Sequence, residues 1–188
     1  NWSCCTPEII AYYLDPRNFL TLDDGSILQF HKLSYSATEN LAGVQAIMGN
    51  YANSAQGQGI QQTFLDVGLT NGVSAYHLAS RAMQETGYGI TGSATGVYPG
   101  YEGYYNFFNI GAYGSMKPVI NGLEYAKSHG WTTPSLSIAG GAPIIADNFI
   151  KKKQDTLYFQ KFDVVGVSGN YNHQYMTNIL AHKSESTK

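Results

Sequence analysis

Apolar residues recur every three or four positions in several stretches of the chain, the spacing of one helix face. The clearest stretch follows Ser74, a residue type that caps helices, and runs through Thr86 to Gly87, a type that ends them. Similar spacing predicts helices at 38–48, 59–69 and 119–126. A further helical stretch from residue 134 is expected to break at Gly140-Gly141 and Pro143, followed by a short extended piece at 157–159 and a final helix at 175–182.

Two regions show neither a helical nor a strand period. Residues 1–35 contain the turn sequences Asp15-Pro16 and Asp23-Asp24-Gly25, which indicate an irregular N-terminal arm packed on a domain formed by residues 36–188. Residues 87–115 are rich in glycine and tyrosine, which predicts a long, ordered functional loop with one short helix. The pattern therefore favours a mainly α fold, with one domain overall.

Composition narrows the classes of function. The 188 residues carry a net charge of −2, with 43% hydrophobic and 13% charged residues, so a nucleic acid is not an expected partner. The two cysteines are adjacent and the five histidines are scattered, so neither a disulfide framework nor a metal site is expected. No apolar run is long enough for a membrane span, and no leader is visible. We expect a monomer, excised from a longer protein whose targeting segment lay upstream.

Glu85 is the first candidate for chemistry. On a helix it shares a stripe with Ala75, Leu78 and Ala82, which places its carboxyl group on the apolar face. Desolvation and the negative end of the helix dipole both favour the protonated form of such a carboxyl group, as a general acid requires. A surface ion pair with Arg81, one turn earlier, is the alternative interpretation.

Two sequence blocks extend this hypothesis. Residues 77–87 read His-Leu-Ala-Ser-Arg-Ala-Met-Gln-Glu-Thr-Gly, and residues 104–112 read Tyr-Tyr-Asn-Phe-Phe-Asn-Ile-Gly-Ala. Together with later blocks at 124–126, 129–131, 140–142, 154–158 and 173–176, they resemble glycoside hydrolase family 73, the endo-β-N-acetylglucosaminidases of autolysins. The resemblance runs in the same order from about residue 15 to 179.

The resemblance implies a lysozyme-like helical domain with Glu85 at a groove as the general acid. Many relatives place a carboxylate on a small β-lobe after the Asn-x-Phe block, but here Gly114-Ser115 and a helix follow that block at once, so little or no β-lobe is expected. The implied substrate is bacterial peptidoglycan, cut at the β-1,4 bond after N-acetylglucosamine without a cofactor. The implied location is outside the cell, at the cell wall. The residues implied to bind substrate are Tyr104, Asn106, Phe107, Asn109, Tyr125, Tyr158, His173 and Tyr175.

The second catalytic group stays open at this point. Glu102 is the nearest carboxylate and could activate a water molecule. Alternatively, the 2-acetamido group of the substrate acts as the nucleophile and a tyrosine, Tyr105 or Tyr158, orients it; substrate assistance is a known exception to the two-carboxylate rule. The competing functions are a muramidase, a lytic transglycosylase and a glycan-binding module that does not cut.

Overall fold

The computed structural model describes residues 4–114, 117–167, 169–175 and 177–187. Within these ranges the α-helices are α1 (Pro7–Leu14), α2 (Leu41–Met48), α3 (Ile60–Asn71), α4 (Ala75–Glu85), α5 (Gly92–Thr95), α6 (Pro118–Ser128), α7 (Pro134–Asn148), α8 (Leu157–Phe162) and α9 (Ala181–Ser186). Short 3-10 helices occupy Pro16–Phe19, Ser26–Phe30, Gly49–Asn53 and Ile150–Lys152. The β pairing in these ranges is one isolated antiparallel bridge, Ser34 with Val73. The predicted mainly helical fold with little or no β-lobe is confirmed.

The chain forms two compact units. One contains both ends of the chain, up to Leu33 and from Asn148 onward, and the other contains Ser34–Asp147. The first change of unit lies within two residues of the predicted boundary of the N-terminal arm. The sequence did not predict that the arm shares a unit with the C-terminal segment, because no local pattern encodes that association. The interpretation as one domain stays a prediction.

Helix α4 is the packing centre of the Ser34–Asp147 unit. It contacts both α2 and α3, and its buried face is Ala75, Leu78, Ala79, Ala82 and Met83, as the apolar stripe predicts. This burial fixes the position of the whole helix, including Glu85 at its last turn.

Two residues hold the first turn of α4: its cap, Ser74, and Glu39. Ser74 Oγ accepts a hydrogen bond from His77 N at 3.1 Å and donates one to the Glu39 carboxylate. Glu39 also accepts from Ala75 N at 2.7 Å. The carboxylate thus satisfies a free N–H group and lies at the positive end of the helix dipole, which stabilises the start of α4.

The predicted break in α7 is wrong. The helix continues through Gly140, Gly141 and Pro143, although proline lacks the N–H group that would bond to the preceding turn. The two glycines allow close ring packing: a Cβ on Gly140 would lie 2.3 Å from Trp131 Nε1, and one on Gly141 would lie 2.3 Å from Phe108 Cδ2. Burial of these two rings offsets the poor helix propensity of the segment.

The predicted extended piece at 157–159 is also wrong, because these residues begin α8. The side chain of Thr156 accepts a hydrogen bond from Phe159 N at 3.0 Å and caps the start of the helix, and Asp163, with φ of 47°, caps its end. Aromatic residues are frequent in strands, but here the cap decides the local structure.

The helices near the two ends of the chain differ from the predicted ones. The N-terminal arm contains α1, capped by the Thr6 side chain, where no helix was predicted. The final helix begins at Ala181 instead of Tyr175, because Tyr175 N donates to Gln160 O at 2.9 Å and Asn178 Oδ1 accepts from Leu180 N at 2.9 Å. These bonds hold the backbone before α9 in a non-helical path.

Among the helices of the described ranges, none has both the length and the apolar character that crossing a bilayer requires.

His182 fastens α9 to the rest of the unit formed by the chain ends. Its imidazole is fully buried, 4.9 Å from the Phe162 ring, 6.1 Å from Tyr13 and 6.3 Å from Phe19 (centroid distances). Neither ring nitrogen has a hydrogen-bond partner among the residues that the structure describes. Burial, and secondarily the nearby charge of Lys161, lowers the pKa of His182 to about 4. The native state therefore favours the neutral ring.

We expect the protein to lose stability as the pH falls from the ordinary histidine pKa of 6.5 towards about 4. In that range the unfolded chain binds a proton that the folded His182 does not, so acid favours unfolding. His182→Phe removes this contribution and should reduce the pH dependence of the free energy of unfolding, measured by urea denaturation between pH 7 and 4. Part of the dependence remains, because burial also lowers the pKa of His77, to about 3. An unchanged slope in His182→Phe would contradict the assignment.

Candidate active site

Glu85 is the last residue of α4, and its side chain is half-buried. Asn109 contacts it twice: the Asn109 Nδ2 donates to the Glu85 Oε2 at 3.0 Å and to the Glu85 backbone carbonyl at 2.9 Å. One side-chain amide thus fixes both the carboxyl group and the backbone from which it extends. The predicted candidate acid and a residue of the 104–112 block therefore meet in the fold.

The backbone of Asn109 has a left-handed conformation, with φ of 50°. Asparagine tolerates this region better than most residues that carry a side chain. Its backbone carbonyl accepts from Ala112 N at 3.0 Å, which closes a turn behind the amide. The conformation directs the block from Asn106 to Ala112 back towards the end of α4.

Asn106 holds this block together from the inside. It is 1% exposed. Its Nδ2 donates to the carbonyls of Ile110 and Gly122, both at 2.8 Å, and its Oδ1 accepts from Ile110 N at 3.0 Å. The Asn106 backbone N–H donates to the Ser93 carbonyl at 2.9 Å. Asn106 therefore has almost no accessible surface for the predicted contact with substrate, because its amide is buried and bonded within the protein.

Phe107 is likewise interior, with no exposed surface. Its ring centroid lies 5.9 Å from that of Tyr51, and its backbone N–H donates to Ser137 Oγ at 3.0 Å. Phe107 is therefore a core residue that supports the block. Its ring has no accessible face for the predicted direct binding of substrate.

Tyr105 and Tyr104 are both half-buried and lie next to the core residue Asn106 in the chain. The backbone N–H of Tyr105 donates to the Trp131 carbonyl at 3.0 Å, and its ring covers Gly96, where a Cβ would lie 2.5 Å from the tyrosine oxygen. Tyr104 N donates to the Tyr101 carbonyl at 3.1 Å. Both side chains thus extend from fixed backbone and keep part of their surface exposed.

Tyr125 stacks on the His129 ring at 3.9 Å with an angle of 13° between the planes, and meets Trp131 edge-on at 5.4 Å. It also forms part of the wall of an open hollow of about 440 Å³. The hollow is lined by Gly111, Tyr113, Asn121, Glu124, Tyr125 and Ser128. Aromatic, amide, hydroxyl and carboxylate groups thus converge within the same unit as Glu85, which suits a polar ligand with apolar faces.

Glu102 is exposed, and its Oε1 accepts from Gly100 N at 3.1 Å. The backbone N–H groups of Glu102 itself and of Gly100 hold the pKa of this carboxyl group below its ordinary value. A lower pKa makes the carboxylate a weaker base at neutral pH, so its environment does not tune Glu102 for proton abstraction.

The other three predicted binding residues, Tyr158, His173 and Tyr175, belong to the unit formed by the chain ends. The hydroxyl of Tyr158 donates to the Leu14 carbonyl at 2.6 Å, and its ring is 6% exposed. His173 and Tyr175 are half-buried; His173 Nδ1 lies 2.6 Å from Gln154 Oε1, and the Tyr175 ring centroid lies 5.5 Å from Phe149. Their contact with substrate stays a prediction.

Sequence reasoning missed several residues that hold the site. Ser137 and Trp131 position the 104–112 block from α7 and from the turn before it, and Glu39 positions α4. Trp131 could have been singled out as one of only two tryptophans. No sequence signal points to the other two, because each acts across more than 29 residues of chain.

No protein-family model matches the chain. The β-N-acetylglucosaminidase of Bacillus subtilis (strain 168) is 33% identical to it over 182 residues, which are 95% of this chain and 20% of the relative. The chain thus spans about a fifth of the length of that curated relative.

Solved structures share the fold. Glucosaminidase B of S. aureus matches 99% of this chain and 72% of its own, with 29% identity and a TM-score of 0.79. Autolysin E of S. aureus, solved in complex with a muropeptide, matches 97% of this chain and 75% of its own, with 26% identity and a TM-score of 0.64.

We expect Asn106→Ala to lower the free energy of unfolding by about 3 kcal/mol or more, because two backbone carbonyls and one N–H group lose their buried partner. Urea denaturation measures the change. The control is Asn18→Ala, which removes one exposed amide bond to the Tyr12 carbonyl and should cost less than about 1 kcal/mol. Equal losses in the two variants would show that Asn106 does not hold the block.

Proposed function

Because the chain belongs to glycoside hydrolase family 73, we propose that it hydrolyses the β-1,4 bond between N-acetylglucosamine and N-acetylmuramic acid in bacterial peptidoglycan. The new reducing end is N-acetylglucosamine. It works outside the cell, at the cell wall, as a monomer and without a cofactor. The observation that carries the proposal is the paired contact between Glu85 and Asn109 at the end of α4, in a chain similar to proteins named glucosaminidases.

Glu85 is the general acid in this proposal. The Asn109 amide donates to Oε2 of the carboxyl group, so Oε2 acts as the acceptor and the acidic proton belongs on Oε1. Oε1 then delivers the proton to the glycosidic oxygen. After the transfer, the same amide hydrogen bond stabilises the carboxylate that remains, because a donor strengthens its bond to a charged acceptor.

The second group is the substrate itself. Glu102 is solvated and has a lowered pKa, which makes it a poor base. The 2-acetamido group of N-acetylglucosamine instead supplies its carbonyl oxygen as the nucleophile, and Tyr105 orients that group. Tyr105 suits this role better than Tyr158, because the Tyr158 hydroxyl is already committed to the Leu14 carbonyl.

The proposed reaction has two balanced steps. In the first, the acetamido oxygen bonds to C1 while the C1–O bond breaks and Glu85 protonates the leaving oxygen. In the second, a water molecule attacks C1, the bond to the acetamido oxygen breaks, and the Glu85 carboxylate takes the proton of the water. The acid is thereby regenerated, and the configuration at C1 is retained.

The remaining predicted residues have different proposed roles. Tyr104 and Tyr125 contact the glycan through their exposed ring surface, Tyr125 at the hollow of 440 Å³. Asn106 and Phe107 act as positioning residues, since both are buried. His173 and Tyr175, which are half-buried, keep their predicted role in binding the glycan chain on their own unit. Tyr158 is buried and bonded to the Leu14 carbonyl, so it acts as a positioning residue there.

Product analysis separates this function from its alternatives. A muramidase would leave N-acetylmuramic acid at the reducing end, a lytic transglycosylase would leave an anhydro-muramic end, and a binding module would leave the polymer uncut. Digested peptidoglycan is reduced with borohydride, and the new ends are identified by mass spectrometry. Muramic or anhydro-muramic ends would overturn the proposed bond, and a lack of any turnover would overturn the proposed activity.

We expect Glu85→Gln to abolish this turnover, because an amide cannot protonate the leaving oxygen. Glu102→Gln should retain most of it, since the substrate replaces the second carboxylate. Release of reduced N-acetylglucosamine ends measures both variants, and thermal unfolding verifies that each is folded. Inactive but folded Glu102→Gln would favour water activation by Glu102, and full activity in Glu85→Gln would overturn the assigned acid.

We expect Asn109→Gly to lower kcat about ten- to a hundredfold with little change in KM, because the carboxyl group loses the amide that aims it. Glycine accepts the left-handed backbone, so the fold should persist. The matched control is Lys153→Gly, at another non-glycine residue with positive φ (66°), which should leave kcat unchanged. Wild-type kcat in Asn109→Gly would contradict the positioning role.

A further inference from the structure

The turn that follows Glu85 has an unusual backbone. Gly87, Tyr88 and Gly89 are three consecutive residues with positive φ, of 56°, 59° and 81°. Glycine adopts this region readily, whereas a bulky aromatic residue adopts it only under strain. The sequence thus retains a tyrosine where a third glycine would be less strained.

The turn is held rigidly in this conformation. Tyr88 N donates to the Met83 carbonyl at 2.7 Å, which ties the tyrosine to the last turn of α4. The fully buried Thr86 accepts from Gly89 N through its carbonyl at 3.1 Å and through its Oγ1 at 3.2 Å. Gly89 also lies against the Tyr51 ring, where a Cβ would come within 2.1 Å of Cδ2. The surroundings therefore determine the conformation, and Tyr88 follows it.

The side chain of Tyr88 is largely exposed. Its side chain is 60% exposed, and within the described ranges it makes no hydrogen bond and no ring contact. Ile90, two residues on, is 81% exposed, while Gly89 between them is buried. The turn thus presents an aromatic ring and an aliphatic side chain to solvent, three and five residues after the candidate acid. Strained residues that their surroundings hold in place cluster at active sites and ligand-binding sites.

We propose that Tyr88 is a sugar-binding residue, whose ring packs against an N-acetylated amino sugar of the glycan strand close to the bond that Glu85 protonates. The inference rests on the proposed function. A tyrosine ring offers a flat apolar face for the C–H groups of a sugar and a hydroxyl for its polar edge. The short, rigid connection to α4 keeps this face at a fixed place relative to Glu85, which gives the glycan strand a defined register across the acid.

The test removes the ring without disturbing the turn. Glycine and asparagine both tolerate positive φ, so Tyr88→Gly and Tyr88→Asn should each keep or raise Tm. Both should weaken the binding of a soluble peptidoglycan tetrasaccharide about five- to tenfold, because the ring is lost. Affinity is measured by titration calorimetry in the Glu85→Gln background, and KM and kcat on peptidoglycan in the active protein. Tyr88→Phe keeps the ring and should bind within about twofold of wild type.

The matched control is Tyr171→Gly. Tyr171 is another exposed tyrosine with positive φ, 55°, so the variant gains the same backbone relief without touching the turn after Glu85. Wild-type affinity in Tyr88→Gly, or an equal loss in Tyr171→Gly, would overturn the role of Tyr88 while leaving the proposed function intact. A wild-type protein that neither binds nor cuts peptidoglycan would instead overturn the proposed function, and with it the inference.

Discussion

The hydrogen bonds from Asn109 to Glu85 are the contact on which the candidate active site of the Ser34–Asp147 unit depends. They join the end of α4 to a block that lies 24 residues further along the chain, and they require both partners to be fixed beforehand. Burial of its apolar face against α2 and α3 and the Glu39 carboxylate at its first turn fix α4. The buried amide of Asn106 fixes the block. A carboxyl group held in this way loses little freedom when substrate binds, which is how positioning lowers a reaction barrier.

The backbone around the candidate active site is strained. Asn109 and Tyr88, which both follow Glu85 in the chain, have positive φ. Gly96 and Gly111 allow the close approach of Tyr105 and Tyr125. Such conformations persist only where hydrogen bonds and packing around them over-determine the structure. In this unit the interior amide of Asn106 and the buried Thr86 provide those constraints. Strain and accessible aromatic surface therefore occur together near the candidate acid.

The wrong predictions that sequence patterns made for α7 and α8 have different causes. Gly140, Gly141 and Pro143 weaken a helix when considered alone, but the rings of Trp131 and Phe108 pack on the two glycines and keep α7 continuous. Those rings come from other parts of the chain, so no window of local sequence contains them. The helix α8 shows the converse case, since its Thr156 cap is local and was outweighed in the prediction by the aromatic residues that follow.

The sequence by itself determined the helix that ends at Glu85, its buried face and its Ser74 cap, because helical period and capping depend on residues within a turn or two of each other. It also determined the family, through blocks whose residues stand in a fixed order. Only the tertiary structure decided that Asn109 is the partner of Glu85, that Asn106 and Phe107 are interior, and that Glu102 is a solvated carboxylate. These facts depend on which distant segments meet, and thus on packing and desolvation, which a linear pattern does not encode.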